Sequence, residues 1–247
     1  MKIATIILAA GKGTRMESEI PKVLHELNSK TLIKRVIDTS LQLNPLKIIV
    51  VIGYKKELIK EELSSYKKLE YAIQLEQKGT GHAVKMCLEN LKEFSGDVLI
   101  LSGDVPLISM DTLESLIEAK KKNNAEAAIL TATMSVPTGY GRVVRKNNLL
   151  YNIVEHKDCN EEELNIKEIN AGIYLVNNAY LKKYIPKISN QNNQNEYYLP
   201  DIFNFMIKDN IKIAIHEISN VNEISGINNK EQLSELSKYL EKHEENK

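Results

Sequence analysis

The chain is poor in cysteine and has no excess of charge of either sign. Only Cys87 and Cys159 occur among its 247 residues, and two cysteines without a spacing pattern make neither a disulfide framework nor a zinc site. Lysine plus arginine and aspartate plus glutamate number 33 each. This balance does not favour a nucleic-acid partner or a membrane surface. A charged substrate must therefore be bound by local groups.

Long apolar runs are also missing. No stretch of the sequence approaches the roughly 18 apolar residues that indicate a membrane span. Residues 1–10 faintly resemble a signal peptide, but their apolar run is short and leads into a basic loop instead of a cleavage site. The length allows one large or two small domains with a proper core. We therefore expect a soluble, cytoplasmic protein with no membrane partner.

Short apolar runs alternate with helical patterns over the first 137 residues. Strands are predicted at Lys2–Ala10, Lys47–Ile52, Leu69–Gln74, Asp97–Leu101 and Ala127–Met134, with a short extended piece at Val23–Leu27. Helices are predicted at 32–41, 55–63, 80–91 and 111–123, and Asp111 is the predicted cap of the last one. This alternation predicts an α/β fold, a mainly parallel sheet with helices on both faces.

The pattern changes from about residue 138. A hairpin around Asn147-Asn148 is predicted, followed by a strand at Ile169–Val176, a helix from Pro200 to Ile207 and a last strand at Lys212–Ile218. Residues 138–220 are therefore expected to form a smaller subdomain over the same edge of the sheet. The polar helix predicted at Lys230–Glu245 could dock on the domain, lead to a further domain, or fray.

The first predicted strand ends in a glycine-rich basic loop. Gly11 and Gly13 allow backbone N–H groups to approach an anion, and Arg15 and Lys22 follow closely. The loop is not a P-loop, because no Gly-Lys-Ser/Thr follows. It is not the dinucleotide fingerprint either, because Met16 replaces the third glycine. By itself it fits either a polyphosphate cradle or a plain strand-to-helix turn.

Three candidate loops follow predicted strands. They begin at Gly11, Gly79 and Asp104, so they should converge beyond the carboxyl ends of the strands, where such sheets bind ligands. Each residue also has an ordinary structural explanation. Asp104 could cap local N–H groups, Thr80 could cap a helix, and Glu155 could be an exposed hairpin acid. The convergence is the stronger indication of a site.

Eight segments, in order, resemble the motifs of one enzyme family. They are Leu8–Met16 with Pro21-Lys22, Gln74–Ala83, Ser102–Leu107, Gly139–Arg142, Ile153–Asp158, Glu168–Ile173, Asn195–Asp201 and Gly226–Asn229. Together they are similar to the uridylyltransferase domain of bacterial bifunctional N-acetylglucosamine-1-phosphate uridylyltransferase/glucosamine-1-phosphate acetyltransferases, over nearly the whole chain. The resemblance implies the Rossmann-like, three-layer fold of nucleotide-diphospho-sugar transferases, with a mixed, mostly parallel sheet and a small inserted sugar-binding subdomain.

The resemblance also implies domains and a reaction. Residues 1–229 would be the nucleotidyltransferase domain, with 1–137 binding the nucleotide, 138–220 binding the sugar, and 230–247 forming a C-terminal helix. The sugar-phosphate oxygen of N-acetylglucosamine 1-phosphate would attack the α-phosphorus of UTP in a Mg²⁺-assisted displacement. The products would be pyrophosphate and UDP-N-acetylglucosamine, a precursor of peptidoglycan and lipopolysaccharide.

The implied site residues fall into four groups. The catalytic residues would be Arg15, Lys22 and Asp104, and the Mg²⁺ ligands Asp104 and Asn228. The sugar would be held by Gly141, Glu155, Asn170 and Asn228. The nucleotide would contact Leu8, Ala9, Ala10, Gly11, Gly13, Lys22, Gln74, Gly79, Thr80, Ser102, Gly103 and Asp104.

Two departures from the family pattern limit these expectations. Ala171 stands where relatives often carry threonine, so one substrate contact is in doubt. No left-handed β-helix of hexapeptide repeats follows Lys247, so we expect no acetyltransferase activity, and either a homo-oligomer or a separate acetyltransferase partner remains open. The rival hypotheses are a transferase for dTTP or CTP, a non-catalytic sugar-nucleotide sensor, and a scaffold that docks partners through 230–245.

Overall fold

The computed structural model describes residues 1–244, so the last residue of the predicted helix Lys230–Glu245 lies outside the described part. The strands are β1 (Ile3–Leu8), β2 (Glu26–Leu27), β3 (Lys30–Thr31), β4 (Lys47–Ile52), β5 (Leu69–Ile73), β6 (Asp97–Ser102), β7 (Ala127–Thr133), β8 (Arg142–Lys146), β9 (Leu149–Val154), β10 (Glu168–Asn177) and β11 (Ile213–Ile218). The α-helices are α1 (Leu32–Gln42), α2 (Lys56–Glu62), α3 (Thr80–Met86), α4 (Met110–Lys122), α5 (Glu161–Leu164), α6 (Asn178–Tyr184), α7 (Asp201–Lys208) and α8 (Lys230–Glu244).

Nine strands form one mixed sheet. Its main order is β11-β7-β10-β6-β1-β4-β5, and the β8–β9 hairpin joins through β10. The pairs of β1 with β4 and β6, of β4 with β5, and of β7 with β11 are parallel. Strand β10 runs antiparallel to both β6 and β7. The predicted mixed, mostly parallel sheet is confirmed.

Apolar side chains cover both faces of this sheet. In β1 the side chain of Ile7 belongs to the cluster on one face and that of Ile6 to the cluster on the other, because successive side chains of a strand point to opposite faces. Helices α1 and α4 pack in the first cluster through Val36 and Leu113. Helices on the other side contribute Val84 and Phe203, among others. This is the three-layer arrangement.

Several predicted boundaries were wrong. Helix α4 is capped by Ser109, whose hydroxyl accepts a hydrogen bond from the Thr112 N–H at 3.1 Å, while Asp111 lies in the first turn. Helix α3 ends at Met86, before the predicted Leu91, because the bond from Cys87 N–H to Val84 O tightens the chain into turns. The piece predicted as extended at Val23–Leu27 is extended only in β2, because a single helical turn comes first.

The change of pattern at residue 138 does not coincide with a break in the sheet. Strands β10 and β11 come from the second half of the chain, yet β10 lies between β6 and β7, and β11 extends the sheet beyond β7. The β8–β9 hairpin is the part that leaves the main strand order. Its turn has positive φ angles at Asn147 and Asn148, of 52° and 61°, as the predicted two-residue turn requires.

Helix α8 docks on the domain, which is one of the three fates predicted for it. Leu236 is buried together with Met16, Leu27, Leu32 and Ile227, and Leu233 and Leu240 pack against the same cluster. The carboxyl-terminal helix therefore supports the basic loop that follows β1. Among residues 1–244, none of the helices has the length and apolar character needed to cross a membrane.

Candidate functional site

A cleft of about 260 Å³ lies over the carboxyl ends of β1, β5 and β6. The loops that follow these three strands converge there, as expected for a parallel sheet. Of the residues predicted to contact a nucleotide, those that line the cleft are Leu8, Ala9, Ala10, Gly11, Lys22, Gln74, Gly79, Thr80, Ser102 and Asp104.

The two other predicted nucleotide residues support the cleft from behind. Gly13 has a φ of +62°, and a Cβ there would lie 2.5 Å from the Cβ of Lys22. Only glycine fits such a position without strain. The N–H of Gly103 donates to the carbonyl of Leu8 at 2.9 Å. Neither glycine lines the cavity, so their role is to let the loops pass close to each other.

Two cationic side chains and two side-chain oxygens that accept from them meet at one end of the cleft. The Lys22 ammonium pairs with the Asp104 carboxylate and donates to the Asn228 amide oxygen at 3.0 Å. The Arg15 guanidinium donates to the same amide oxygen at 2.9 Å. The side chains of Lys22 and Asp104 are only 15% and 18% exposed. Residues 15, 22, 104 and 228 thus form one cluster although they lie far apart in sequence.

This cluster fits a divalent cation. A carboxylate oxygen and an amide oxygen are the hard donors that Mg²⁺ prefers, and here they already flank the positive charge of Lys22. Within residues 1–244, no group of three or more histidine, cysteine, aspartate or glutamate side chains could hold a metal ion. A metal at Asp104 and Asn228 would therefore be completed by phosphate oxygens and water, the usual coordination of Mg²⁺ beside a nucleotide.

The position of Asn228 depends on α8. The Asn228 N–H donates to the Gln232 side chain at 2.7 Å, and the Gln232 N–H donates to the Asn229 side chain at 2.8 Å. The N–H of Ile227 donates to the carbonyl of Asp104 at 3.0 Å. Gln232 was missed from the sequence. The available signal was an asparagine three residues before a glutamine at a helix start, a pattern typical of helix caps.

A second cavity of about 200 Å³ adjoins the cleft. Both cavities share Leu8, Thr80 and Ser102 in their walls. Three of the residues predicted to hold the sugar line it, namely Gly141, Glu155 and Asn170. Asn228, the fourth, does not line this cavity but lies in the cation cluster beside Asp104. Two substrates in these cavities would meet at their shared wall.

A bulge in β10 shapes the second cavity. The pairing of β10 with β7 shifts between Asn170 and Tyr174, and Gly172 inside the bulge has a φ of 72°. The Asn170 amide donates to the Tyr174 hydroxyl at 2.6 Å and accepts from the Gly172 N–H at 3.2 Å. Tyr174 is a further member of the cavity wall that sequence reasoning missed. A bulge re-aims side chains in this way.

Glu155 is not the ordinary exposed acid that the sequence allowed. Burial raises the pKa of its carboxyl to about 7, and the nearby charges of Asp201, Asp158 and Glu196 act in the same direction. Burial also raises the pKa of Asp201 to about 6, with help from Asp158. A carboxyl with such a pKa can both donate to and accept from sugar hydroxyls near neutral pH.

Four further residues have structural surroundings. Burial lowers the pKa of His25, with a contribution from Lys230. Cys87 is fully buried in the apolar cluster, which raises the pKa of its thiol. The Thr80 hydroxyl does not cap α3 but accepts from the Leu199 N–H at 3.1 Å. The Tyr198 hydroxyl donates to Asp158 at 2.9 Å.

Comparison with known proteins decides the family. The model of the MobA-like NTP transferase domain matches residues 5–157, which hold the glycine-rich loop, Asp104 and Glu155. The chain belongs to this family. Proteins named bifunctional protein GlmU are similar over nearly the whole chain, which confirms the predicted resemblance. The protein from Picosynechococcus sp. is 44% identical over 240 residues, covering 97% of this chain and 53% of the relative.

Further relatives of this NTP transferase domain agree in sequence and in fold. GlmU of Prochlorococcus marinus is 43% identical over 241 residues, again covering 97% of this chain and 53% of the relative. The chain thus spans about half the length of the curated relatives it matches. A crystal structure from Bacillus anthracis, described as a glucose-1-phosphate thymidylyltransferase in complex with a sucrose, superposes with a TM-score of 0.75 at 18% identity. It covers 96% of this chain and 94% of its own, and it supports the fold alone.

Proposed function

We propose that this NTP transferase domain transfers UMP from UTP to N-acetylglucosamine 1-phosphate, giving UDP-N-acetylglucosamine and pyrophosphate. The observation that carries the proposal is the pair of adjoining cavities. One has the cation cluster of Arg15 and Lys22 at its end, and the other contains Glu155 and Asn170. The similarity to GlmU proteins supports the choice of uracil and of the N-acetylated sugar.

The nucleotide would lie along the first cleft. Backbone N–H groups of the loop from Ala10 to Gly13, together with Arg15 and Lys22, are suited to hold the triphosphate. Their positive charge would oppose the negative charge that builds up on the departing pyrophosphate. The base would lie toward Gln74 and Gly79, which line the same cleft away from the cation cluster. Residues 1–137 would therefore bind the nucleotide, and 138–220 would contribute the walls of the sugar site.

The reaction would be a direct displacement. A phosphate oxygen of the sugar phosphate forms a bond to the α-phosphorus, the bond from that phosphorus to the bridging oxygen breaks, and pyrophosphate leaves with the electron pair. Such transfers depend on positioning and on charge stabilisation more than on a covalent nucleophile. Gly141, Glu155 and Asn170 would orient the sugar, so that its phosphate reaches the shared wall of the two cavities.

Mg²⁺ is the proposed cofactor, held by Asp104 and Asn228. When bound, it would neutralise phosphate charge and polarise the phosphoryl oxygens. The flexible side chain of Lys22 would then leave Asp104 and pair with phosphate oxygens. The substrates are small phosphorylated metabolites, so we infer no nucleic-acid or membrane partner and a cytoplasmic reaction. A homo-oligomer or a separate acetyltransferase partner is compatible with this proposal.

The deciding experiment measures pyrophosphate release with each combination of nucleotide and sugar phosphate. We expect turnover with UTP and N-acetylglucosamine 1-phosphate, and much slower turnover with dTTP, with CTP or with glucose 1-phosphate. Asp104→Asn should lose most of this turnover, whereas Lys12→Met, on the exposed side of the same loop, should keep it. Preference for dTTP or CTP would overturn the proposed nucleotide. Tight binding without turnover would instead support a sugar-nucleotide sensor.

A further inference from the structure

The side-chain amide of Gln74 is held by two partners. Gln74 is 3% exposed and lines the nucleotide cleft. Its amide nitrogen lies 3.1 Å from the carbonyl oxygen of Gly79 and 3.0 Å from Nδ1 of His82. A backbone carbonyl only accepts hydrogen bonds, so the amide must present its NH₂ group to Gly79. The second amide hydrogen then goes to His82, which must accept it through Nδ1.

This arrangement leaves one polar atom of Gln74 for a ligand. Both amide hydrogens are used inside the protein, and no donor among residues 1–244 bonds to the amide oxygen. Rotating the amide by half a turn would set its oxygen against the Gly79 carbonyl and against the His82 lone pair. The network therefore keeps Gln74 as a hydrogen-bond acceptor toward the cleft.

The surroundings of His82 keep its ring neutral. Burial lowers the pKa of the ring, as do the charges of Lys78 and Lys85, while the backbone and the carboxylate of Glu76 oppose this shift. With Nδ1 accepting from Gln74, the ring proton is on Nε2. His82 does not line the nucleotide cleft but a separate cavity of about 160 Å³, together with Tyr197. It can reach a nucleotide only through Gln74.

We propose that His82 is a positioning residue for base specificity, which holds the Gln74 amide so that its oxygen accepts the N3–H of a uracil ring. The inference rests on the proposed function, since it assumes a pyrimidine nucleotide in the cleft. Uracil carries a hydrogen on N3, whereas cytosine carries a lone pair there. A fixed acceptor at Gln74 therefore favours UTP. With CTP, the Gln74 oxygen and the lone pair on N3 of cytosine would face each other without a hydrogen between them. Thymine shares the N3–H, so this device does not separate UTP from dTTP.

Two substitutions at His82 separate this role from a purely structural one. His82→Leu removes one of the two acceptors, so that Gly79 alone holds the NH₂ group of Gln74. Turning the amide, so that it donates to N3 of cytosine, then costs one hydrogen bond less than in the unmodified chain. His82→Asn keeps an acceptor, because the asparagine oxygen occupies nearly the place of Nδ1. Dissociation constants of Mg–UTP and Mg–CTP are measured by titration calorimetry without sugar phosphate, with His82→Ala as a second variant that lacks the acceptor.

We expect the preference for UTP over CTP to fall about tenfold in His82→Leu and His82→Ala, the factor that one net hydrogen bond is worth. His82→Asn should keep a preference close to that of the unmodified chain. A merely structural role would weaken both nucleotides alike and leave their ratio unchanged, and that result would overturn the inference while leaving the proposed function intact. An unmodified chain with no preference for UTP would overturn the proposed nucleotide and this inference together.

Discussion

Among single residues, the two cations that follow the glycine-rich loop have different surroundings. Arg15 is exposed and donates a hydrogen bond to the amide oxygen of Asn228, whereas Lys22 is largely buried between Asn228 and Asp104. The Lys22 ammonium occupies the place where a metal ion would bind the same oxygens. If Asp104 is the metal ligand that we propose, lysine and metal would compete for it before a nucleotide arrives.

Removing the charge of Lys22 should strengthen metal binding to the nucleotide-free protein. In Lys22→Met we expect the affinity for Mn²⁺, used as a spectroscopic probe, to rise about tenfold, because a competing like charge has been removed. Turnover should fall at the same time, because the phosphates lose a cation. Electron paramagnetic resonance of free Mn²⁺ measures the affinity. Lys12→Met is the matched control and should leave it unchanged; an unaltered affinity in Lys22→Met would contradict the competition.

Glu155 makes stability depend on pH in a defined direction. Its pKa is about 7 in the folded protein against the ordinary value of 4.5 for a glutamate, so the folded chain binds this proton more tightly than the unfolded chain does. The stability cost of ionising this carboxyl therefore grows as the pH rises from about 4.5 to about 7, is complete above that, and is absent well below pH 4.5, where both states are protonated.

The substitution Glu155→Gln should therefore stabilise the protein at alkaline pH. The difference between about 7 and 4.5 corresponds to at most about 3 kcal/mol. We expect a gain of this order near pH 8 and almost none near pH 4.5 in urea unfolding. Glu162→Gln, on the exposed first turn of α5, should change stability little at either pH. Equal gains at both values would show that burial of the charge is not the cause.

At the scale of elements, the start of α4 shows how tertiary contacts select a cap. The Ser109 hydroxyl accepts from Thr112 N–H, while the Glu223 carboxylate accepts from the Ser109 N–H at 3.0 Å and from the Thr112 hydroxyl at 2.6 Å. Asp111 is a good cap residue in the sequence, but it lies two positions too late. The helix begins where Glu223, from the segment after β11, provides a partner.

Substitutions at the two positions should separate these roles. Ser109→Ala should destabilise the protein by about 1–2 kcal/mol, the usual cost of losing an N-cap. Asp111→Ala should cost about 0.5 kcal/mol or less, because an acid in the first turn only interacts with the helix dipole. Urea unfolding at neutral pH measures both. A larger loss for Asp111→Ala would restore the cap that the sequence indicated.

At the scale of the whole molecule, the second half of the chain completes the sheet of the first half. Strand β10 pairs with β6 on one side and β7 on the other. Strands β6 and β7 therefore do not pair directly with each other. In a chain that ends at residue 137, the edges of β6 and β7 that pair with β10 would be open. Apolar side chains that β10 covers, and backbone groups that it pairs, would then face water.

The chain of residues 1–247 should therefore unfold in one cooperative transition, and a chain of residues 1–137 should not fold into the same sheet. Coincident thermal transitions in far-ultraviolet and tyrosine near-ultraviolet circular dichroism test the first statement. A chain of residues 1–229 is the control, because it keeps every strand and loses only α8; it should unfold cooperatively at a lower temperature. Cooperative unfolding and UTP binding by residues 1–137 would contradict this account.

The amino-acid sequence by itself determined the strands of the main sheet, most helices, the glycine-rich loop and the edge of the sheet where the loops converge. These features follow from local periodicity and from the turn preferences of glycine and asparagine, which act between neighbours in the chain. Only the tertiary structure decided that Gln232 and Tyr174 orient site residues, that Ser109 caps α4, and that Glu155 has a raised pKa. Each of these depends on burial or on contacts between segments distant in sequence, which no local pattern encodes.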